Sequence, residues 1–196
     1  MLLLLINTHK IIANNLLNIA SGKKLYLIDS RRFIWGNIKP DCVSKYKFKK
    51  HYYNESIDMI VKKIEELSRL SISTIYFEYG KGKFSEELGV ICHFLCDYFC
   101  LPHNQRWEFK NSMKKHISYE NQLAKFIKQV NITNYINDDL RIKDIKGFID
   151  INLKKYEKNT GYINDLSYSY YICNSVINTI LNVVVMNEYK NDKIVG

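Results

Sequence analysis

Three acids sit where an apolar stretch of this sequence ends or begins. Asp29 closes KKLYLID (23–29), Glu78 closes TIYFE (74–78), and Asp165 opens the helical pattern NDLSYSYYICNSVINTILNVVVM (164–186). Carboxylates clustered at strand ends suit two-metal hydrolysis of phosphodiesters, in which Mg²⁺ or Mn²⁺ ions about 3.5–4 Å apart stabilise the attacking and leaving oxygens. Mg²⁺ takes one or two protein carboxylates and fills its shell with phosphate and water. Taken singly, each acid has a simpler reading as a solvated strand terminus, or for Asp165 as a helix cap or first-turn charge. The three together, at these points in the order of elements, point to a metal site. Basic residues of a type that suits phosphate contacts are Arg31, Arg32, Lys81, Lys83, and the run containing Lys110, Lys114 and Lys115.

The elements that must position these residues follow from periodicity and turn signals. Residues 8–20 have helical apolar spacing, and Gly22 is a stop. Strands are expected at 23–29, 33–38, 46–53, 74–78 and 101–109, and helices at 55–70, 84–100, 118–130 and 164–186. That order predicts a mixed α/β domain with one central sheet flanked by helices. A single domain spanning 1–196 is expected, with 1–22 as an N-terminal helical extension and 131–160 as an insertion. A dinucleotide-binding sheet is disfavoured, because the turn Asn7-Thr8-His9-Lys10 has no glycine to admit a pyrophosphate.

Composition narrows the class. The chain of 196 residues carries a net charge of +9, the footprint of a partner rich in phosphates. Abundant Lys, Ile, Asn and Tyr suggest an AT-rich coding genome, as in some viruses and low-GC bacteria. Five cysteines and the absence of a secretory pattern predict an intracellular, reducing location, cytoplasmic or in a viral factory, and no membrane association. Cys92, Cys96 and Cys100 recur every fourth residue near His93 and His103, which raises a zinc site. The paired C-x-x-C knuckle is missing, and a helical stripe of buried thiols is the preferred reading.

In its order of elements and acids the chain resembles the RuvC-type Holliday junction resolvases, within them the poxvirus-type branch, which have a ribonuclease-H-like fold. LYLIDSRRFIWGNI (25–38) matches the first strand and hairpin with Asp29 in the metal position, and IYFEY supplies Glu78. FSEELGVICHFL supplies a central Gly89, LPHNQRWEFKNSMKK the lysine-bearing segment, and NDLSYSYYI the last motif at Asp165 and Ser169. Ser30-Arg31-Arg32 replaces the expected glycine turn, and Tyr168 stands where the family has a second acid.

The resemblance implies a Mg²⁺- or Mn²⁺-dependent endonuclease cutting branched DNA, acting as a homodimer. Asp29, Glu78 and Asp165 would bind metal. Lys110 would stabilise the charged transition state or grip phosphate, and the other basic residues would contact DNA. The alternative is a ribonuclease-H-like nucleic-acid-binding or scaffold protein that lost catalysis, as the Tyr168 substitution suggests.

Overall fold

The computed structural model describes residues 2–19, 24–43, 51–107, 112–130 and 142–195, and among these there is no strand. Helix α1 (Leu2–Ile19) buries Thr8, His9, Ile12, Ala13 and Leu16, a stripe at helical spacing. After a 3₁₀ turn (Leu25–Leu27), α2 (Ser30–Cys42) begins at Asp29, whose side chain accepts a hydrogen bond from the Arg32 backbone N–H at 3.1 Å. Helix α3 (Tyr53–Ser68) presents Ile57, Ile60, Ile64 and Leu67 to the core. Each such side chain contributes about 1.5–3 kcal/mol on full burial.

A short α4 (Ile72–Thr74) is capped by Ser71, whose hydroxyl accepts from Thr74 N–H at 3.1 Å. It runs into a wide turn, Ile75–Tyr79, closed by Gly80 N–H donating to Ile75 O at 3.0 Å. Gly80, at φ 92°, turns the chain into α5 (Lys81–Tyr98). From Leu88 to Tyr98 every residue of α5 is buried, which makes this the central helix. Then follow α6 (Leu101–Asn104), α7 (Met113–Ile127), α8 (Ile145–Tyr156) and α9 (Tyr162–Val195). Helix α2 lies along α5, α1 packs on α2 and α7, and α9 packs against α3, α5 and α8. By length and composition α9 could cross a bilayer, but 67% of its apolar window is buried inside the protein.

The expected α/β, ribonuclease-H-like sheet is therefore replaced by a helical assembly. Residues 25–27 of the first expected strand form a 3₁₀ turn, and 33–38 lie within α2. The helical period won there, because Phe33, Gly36, Asn37 and Pro40 form one buried face and Asp29 caps it. The β-branched and aromatic run 74–78 is the wide helical turn before Gly80. Of the expected strand 101–109, residues 101–104 are α6, while 108–109 lie outside the described residues, as do 46–50. Within 131–160, residues 131–141 lie outside the described residues and 145–156 form α8.

Candidate metal centre

All five histidines of the chain converge on three acids, and the helices explain how. On α5, His93 and Asp97 are one turn apart and share a face; on α7, His116 and Glu120 do the same. Helix α1 contributes His9, the last turn of α2 contributes Asp41, the residue just before α3 begins its approach contributes His51, and α6 contributes His103.

Asp97 is the hub. Its Oδ1 lies 3.2 Å from His9 Nε2 and 3.5 Å from His103 Nε2, and its Oδ2 lies 2.9 Å from His51 Nδ1 and 3.2 Å from His93 Nε2. Asp41 Oδ1 stands 3.8 Å from His51 Nδ1 and 3.7 Å from His93 Nε2. Glu120 Oε1 is 2.9 Å from His116 Nε2 and 3.3 Å from His103 Nε2. Behind this shell, the Asn37 carbonyl meets His93 Nδ1 at 2.8 Å. That contact places the ring proton on Nδ1 and leaves the Nε2 lone pair directed at Asp41 and Asp97, as in histidine ligands held by a carbonyl.

The charges are tuned by mutual proximity. Burial alone would raise the Asp97 carboxyl, but His103, His93 and His9 hold it well below the usual carboxylate range. Burial also opposes ionisation of Glu120, and its hydrogen bonds with His103 and His116 bring it down to about 2. Burial lowers His93, with the neighbouring His9 adding to it, whereas His9 is held well above its ordinary value because Asp97 outweighs its burial.

Three sets of side chains bring their donor atoms within 4.8 Å of one another: His9–Asp41–His93, His51–His93–Asp97 and His103–His116–Glu120. The first two share His93, so Asp41, His51, His93 and Asp97 make one candidate centre with His9 at its edge, and His103, His116 and Glu120 make another. Buried carboxylate oxygens without a hydrogen-bond partner among the described residues include Asp41 Oδ2 and Glu120 Oε2. An orphaned buried acceptor is costly, and a cation relieves it. Imidazole nitrogens mixed with carboxylates are a zinc donor set rather than a magnesium one.

Beside the cluster opens a cavity of about 100 Å³, lined by His51, Asp97 and His103 together with Tyr52, Tyr53, Tyr98 and Arg106. Its walls are tethered: the Tyr98 hydroxyl meets Ser56 Oγ at 2.8 Å, and the Tyr53 hydroxyl bonds to Asp150.

The structure distributes the residues singled out by sequence differently. Asp29 is the cap of α2, and Glu78 is exposed on the wide turn before Gly80. Asp165 is buried close to the cluster, sharing a small cavity with His9, Asp97 and Glu120. Its Oδ1 accepts from the Tyr156 hydroxyl at 2.9 Å, and its Oδ2 from the Tyr119 hydroxyl at 2.8 Å and Leu101 N–H at 3.1 Å. Tyr168 stacks on Phe99, with ring centroids 5.7 Å apart. Arg31, Arg32 and Lys83 are exposed, and Lys81 and Lys83 lie over the rings of Tyr76 and Tyr79. This end of α5 is about 24 Å from Asp97 along the helix at 1.5 Å per residue. Lys114 and Lys115 are exposed in the first turn of α7, with Lys115 Nζ 4.0 Å from the Trp107 ring; Lys110 lies outside the described residues. The five cysteines form no disulfide, and Cys92, Cys96, Cys100 and Cys173 are buried.

The sequence raises zinc beside His93 and His103 but favours buried thiols there, and it does not bring in the other three histidines or the three acids, although two signals are present. His93-x-x-x-Asp97 and His116-x-x-x-Glu120 each put two ligand types on one helical face. The partner of His93 is Asp97 and not the cysteine repeat that surrounds it.

A sequence model described as zinc dependent phospholipase C matches residues 8–163, a stretch that runs from His9 past Glu120 and so contains all eight cluster residues. No curated protein and no solved structure matches the chain. With the absence of a sheet among the described residues, this match overturns the resemblance to RuvC-type resolvases and the branched-DNA endonuclease function it implied. The impaired ribonuclease-H-like scaffold falls with the same fold. Zinc, not Mg²⁺ or Mn²⁺, is the metal of the family and the one the donor set suits.

Proposed function

The chain belongs to the zinc-dependent phospholipase C family, and from that premise we propose that it hydrolyses phospholipids at the phosphate, releasing diacylglycerol and a phosphorylated head group. The observation that carries this reading is the convergence of all five histidines with Asp41, Asp97 and Glu120 beside a cavity. Asp41, His51, His93 and Asp97 would hold one zinc ion, and His103, His116 and Glu120 another. Zinc bound there supplies Lewis acidity at a phosphate oxygen and activates water as the nucleophile.

The rest is the work of the chain itself. The Asn37 carbonyl fixes the His93 tautomer, so the ring presents a lone pair and not a proton to the site. Asp97 and Glu120 stay ionised at neutral pH because the imidazoles around them favour the charged form. The tethered tyrosines hold the cavity's shape before any lipid arrives. A space of about 100 Å³ is too small for two acyl chains, so the diacylglycerol portion would stay outside it.

The test is diacylglycerol release from vesicles of mixed phospholipids by zinc-loaded protein. Release that stops with a chelator, returns with zinc and is lost in His116→Ala supports the reading. No diacylglycerol from any phospholipid class by fully zinc-loaded protein overturns it.

A further inference from the structure

The wall of the cavity carries an arginine in an unusual place. Arg106 is the non-glycine residue with a left-handed backbone, φ 54°, among the described residues. A side chain there costs roughly 1–2 kcal/mol relative to ordinary backbone. The turn that imposes it is tied on both sides: Arg106 N–H donates to His103 O at 3.2 Å and Trp107 N–H to Pro102 O at 2.9 Å. The strain therefore sits on the segment that also delivers His103, and it directs a guanidinium into the lining of the cavity.

That guanidinium covers an aromatic face of the kind a quaternary ammonium stacks on. Its carbon lies 4.8 Å from the centroid of Tyr52, within cation–π range, so this aromatic face is filled by the protein's own cation. Two acids stand nearby, Glu157 in the lining and Glu55 beside it. Glu55 is 3.5 Å from Arg106 Nη1, and Glu157 accepts from Asn104 Nδ2 at 3.2 Å. A guanidinium has five N–H donors, and a single pairing with Glu55 leaves several for a ligand. Asn54 and Asn104 add amide groups to the same lining.

We propose that Arg106 makes this cavity select a phosphorylated polyol head group, such as glycerol phosphate, over one carrying a quaternary ammonium. The proposal rests on the phospholipase reading for the source of such a head group. Hydroxyls and phosphate oxygens find donors in the guanidinium and the two amides, whereas an ammonium meets a like charge at the ring it would stack on.

The experiment is calorimetric titration of the zinc-loaded chain, and of zinc-loaded Arg106→Gln, with glycerol phosphate and with phosphocholine. The wild type is expected to bind glycerol phosphate about tenfold more tightly or better, and Arg106→Gln to bring the two ligands within about twofold. Arg106→Asn, which tolerates the left-handed backbone, guards against a folding defect and is expected to match it. Equal or tighter binding of phosphocholine by the wild type, or an unchanged preference in both zinc-loaded variants, overturns the proposal. Because binding is read without turnover, a chain that prefers glycerol phosphate yet releases no diacylglycerol would sink the phospholipase reading and leave this selectivity standing.

Discussion

Gly36 and Gly89 face each other where α2 crosses α5, so closely that a Cβ on either would lie within 2.9 Å of the other's Cα. A Cβ on Gly89 would also meet Phe33 O at 2.3 Å, and one on Gly36 would meet Glu86 O at 2.1 Å. Backbone cannot yield as a side-chain tip can. This contact brings the Asn37 carbonyl to His93 and, one turn later, Asp41 to the metal cluster.

Gly89→Ala is therefore expected to part the two helices and to destabilise the protein by about 1–3 kcal/mol or more, as overpacked cores do. Zinc affinity should fall with it, because His93 loses its orienting carbonyl. Thermal melts of the metal-free protein and zinc titration read the two effects. A variant with the parent's melting temperature and affinity would mean the helices are not in backbone contact.

Removing one ligand from each centre should separate them. His116→Ala is expected to lose about one equivalent of zinc and to weaken what remains at that centre by a hundredfold or more, beyond the 10–100-fold typical of residues that only support ligands. Glu120→Gln should do the same, and a change at His51 should empty the other centre instead. Elemental analysis after dialysis against a weak chelator checks the stoichiometry.

Zinc loading should weaken as pH falls, because each imidazole must be free of its proton to bind metal. Equilibrium titration at pH 5.5 and 7.5 reads this directly, and pH-independent affinity would argue against histidine ligands.

The metal-free protein has a pH dependence of its own, to which two carboxyls contribute with opposite shifts. Burial raises Asp165 to about 6, against the hydrogen bonds from Leu101 N–H, Tyr119 and Tyr156. The folded state thus keeps a proton that the unfolded chain has released, and stability falls as pH rises from about 4 to 6. Glu120, brought down to about 2, works the other way: its contribution is present above its ordinary value and is lost as pH falls towards 2. Asp165→Asn should flatten the loss between pH 4 and 6, as read by melting in chelator.

Tyr168→Asp tests the packing of α9. Tyr168 is stacked on Phe99 and sits edge-on to Tyr156, with centroids 5.6 Å apart. A carboxylate there is expected to cost about 1–3 kcal/mol and to add no metal ligand, so denaturant melts should shift while zinc stoichiometry stays.

What could be read ahead of the fold depended on how far in sequence each signal reached. The α3 stripe Ile57, Ile60, Ile64 and Leu67 is local, and it marks both the helix and its buried face. The residues 33–38 are β-rich in composition, and only the contact of Gly36 with Gly89, more than fifty residues on, reveals why a glycine stands on the buried face of a helix there. The metal centre is more distant still. His9 has no residue of ligand type within a helical turn, and Cys42 beside Asp41 and Glu55 four residues after His51 are not their partners in the cluster, so these three acquire meaning once α1, α2 and α5 have packed. Asp165 was conspicuous for opening an apolar helix, and it does lie beside the cluster, where the structure shows both its oxygens engaged by tyrosines and Leu101. Glu78 was conspicuous for following a β-rich run that turned out to be a turn of helix.

The spread of the cluster from His9 to Glu120 has a consequence for how the protein is made. Bound zinc would act as a clasp on six separate segments, closing loops that the unfolded chain leaves open, so the ion and the tertiary structure reinforce each other. During synthesis no growing chain can complete the second centre until Glu120 has been added, and the first is ready once Asp97 has emerged. A chain that stops between these two residues holds every ligand of the first centre but lacks Glu120, and with it α9, the helix that packs on α3 and α5.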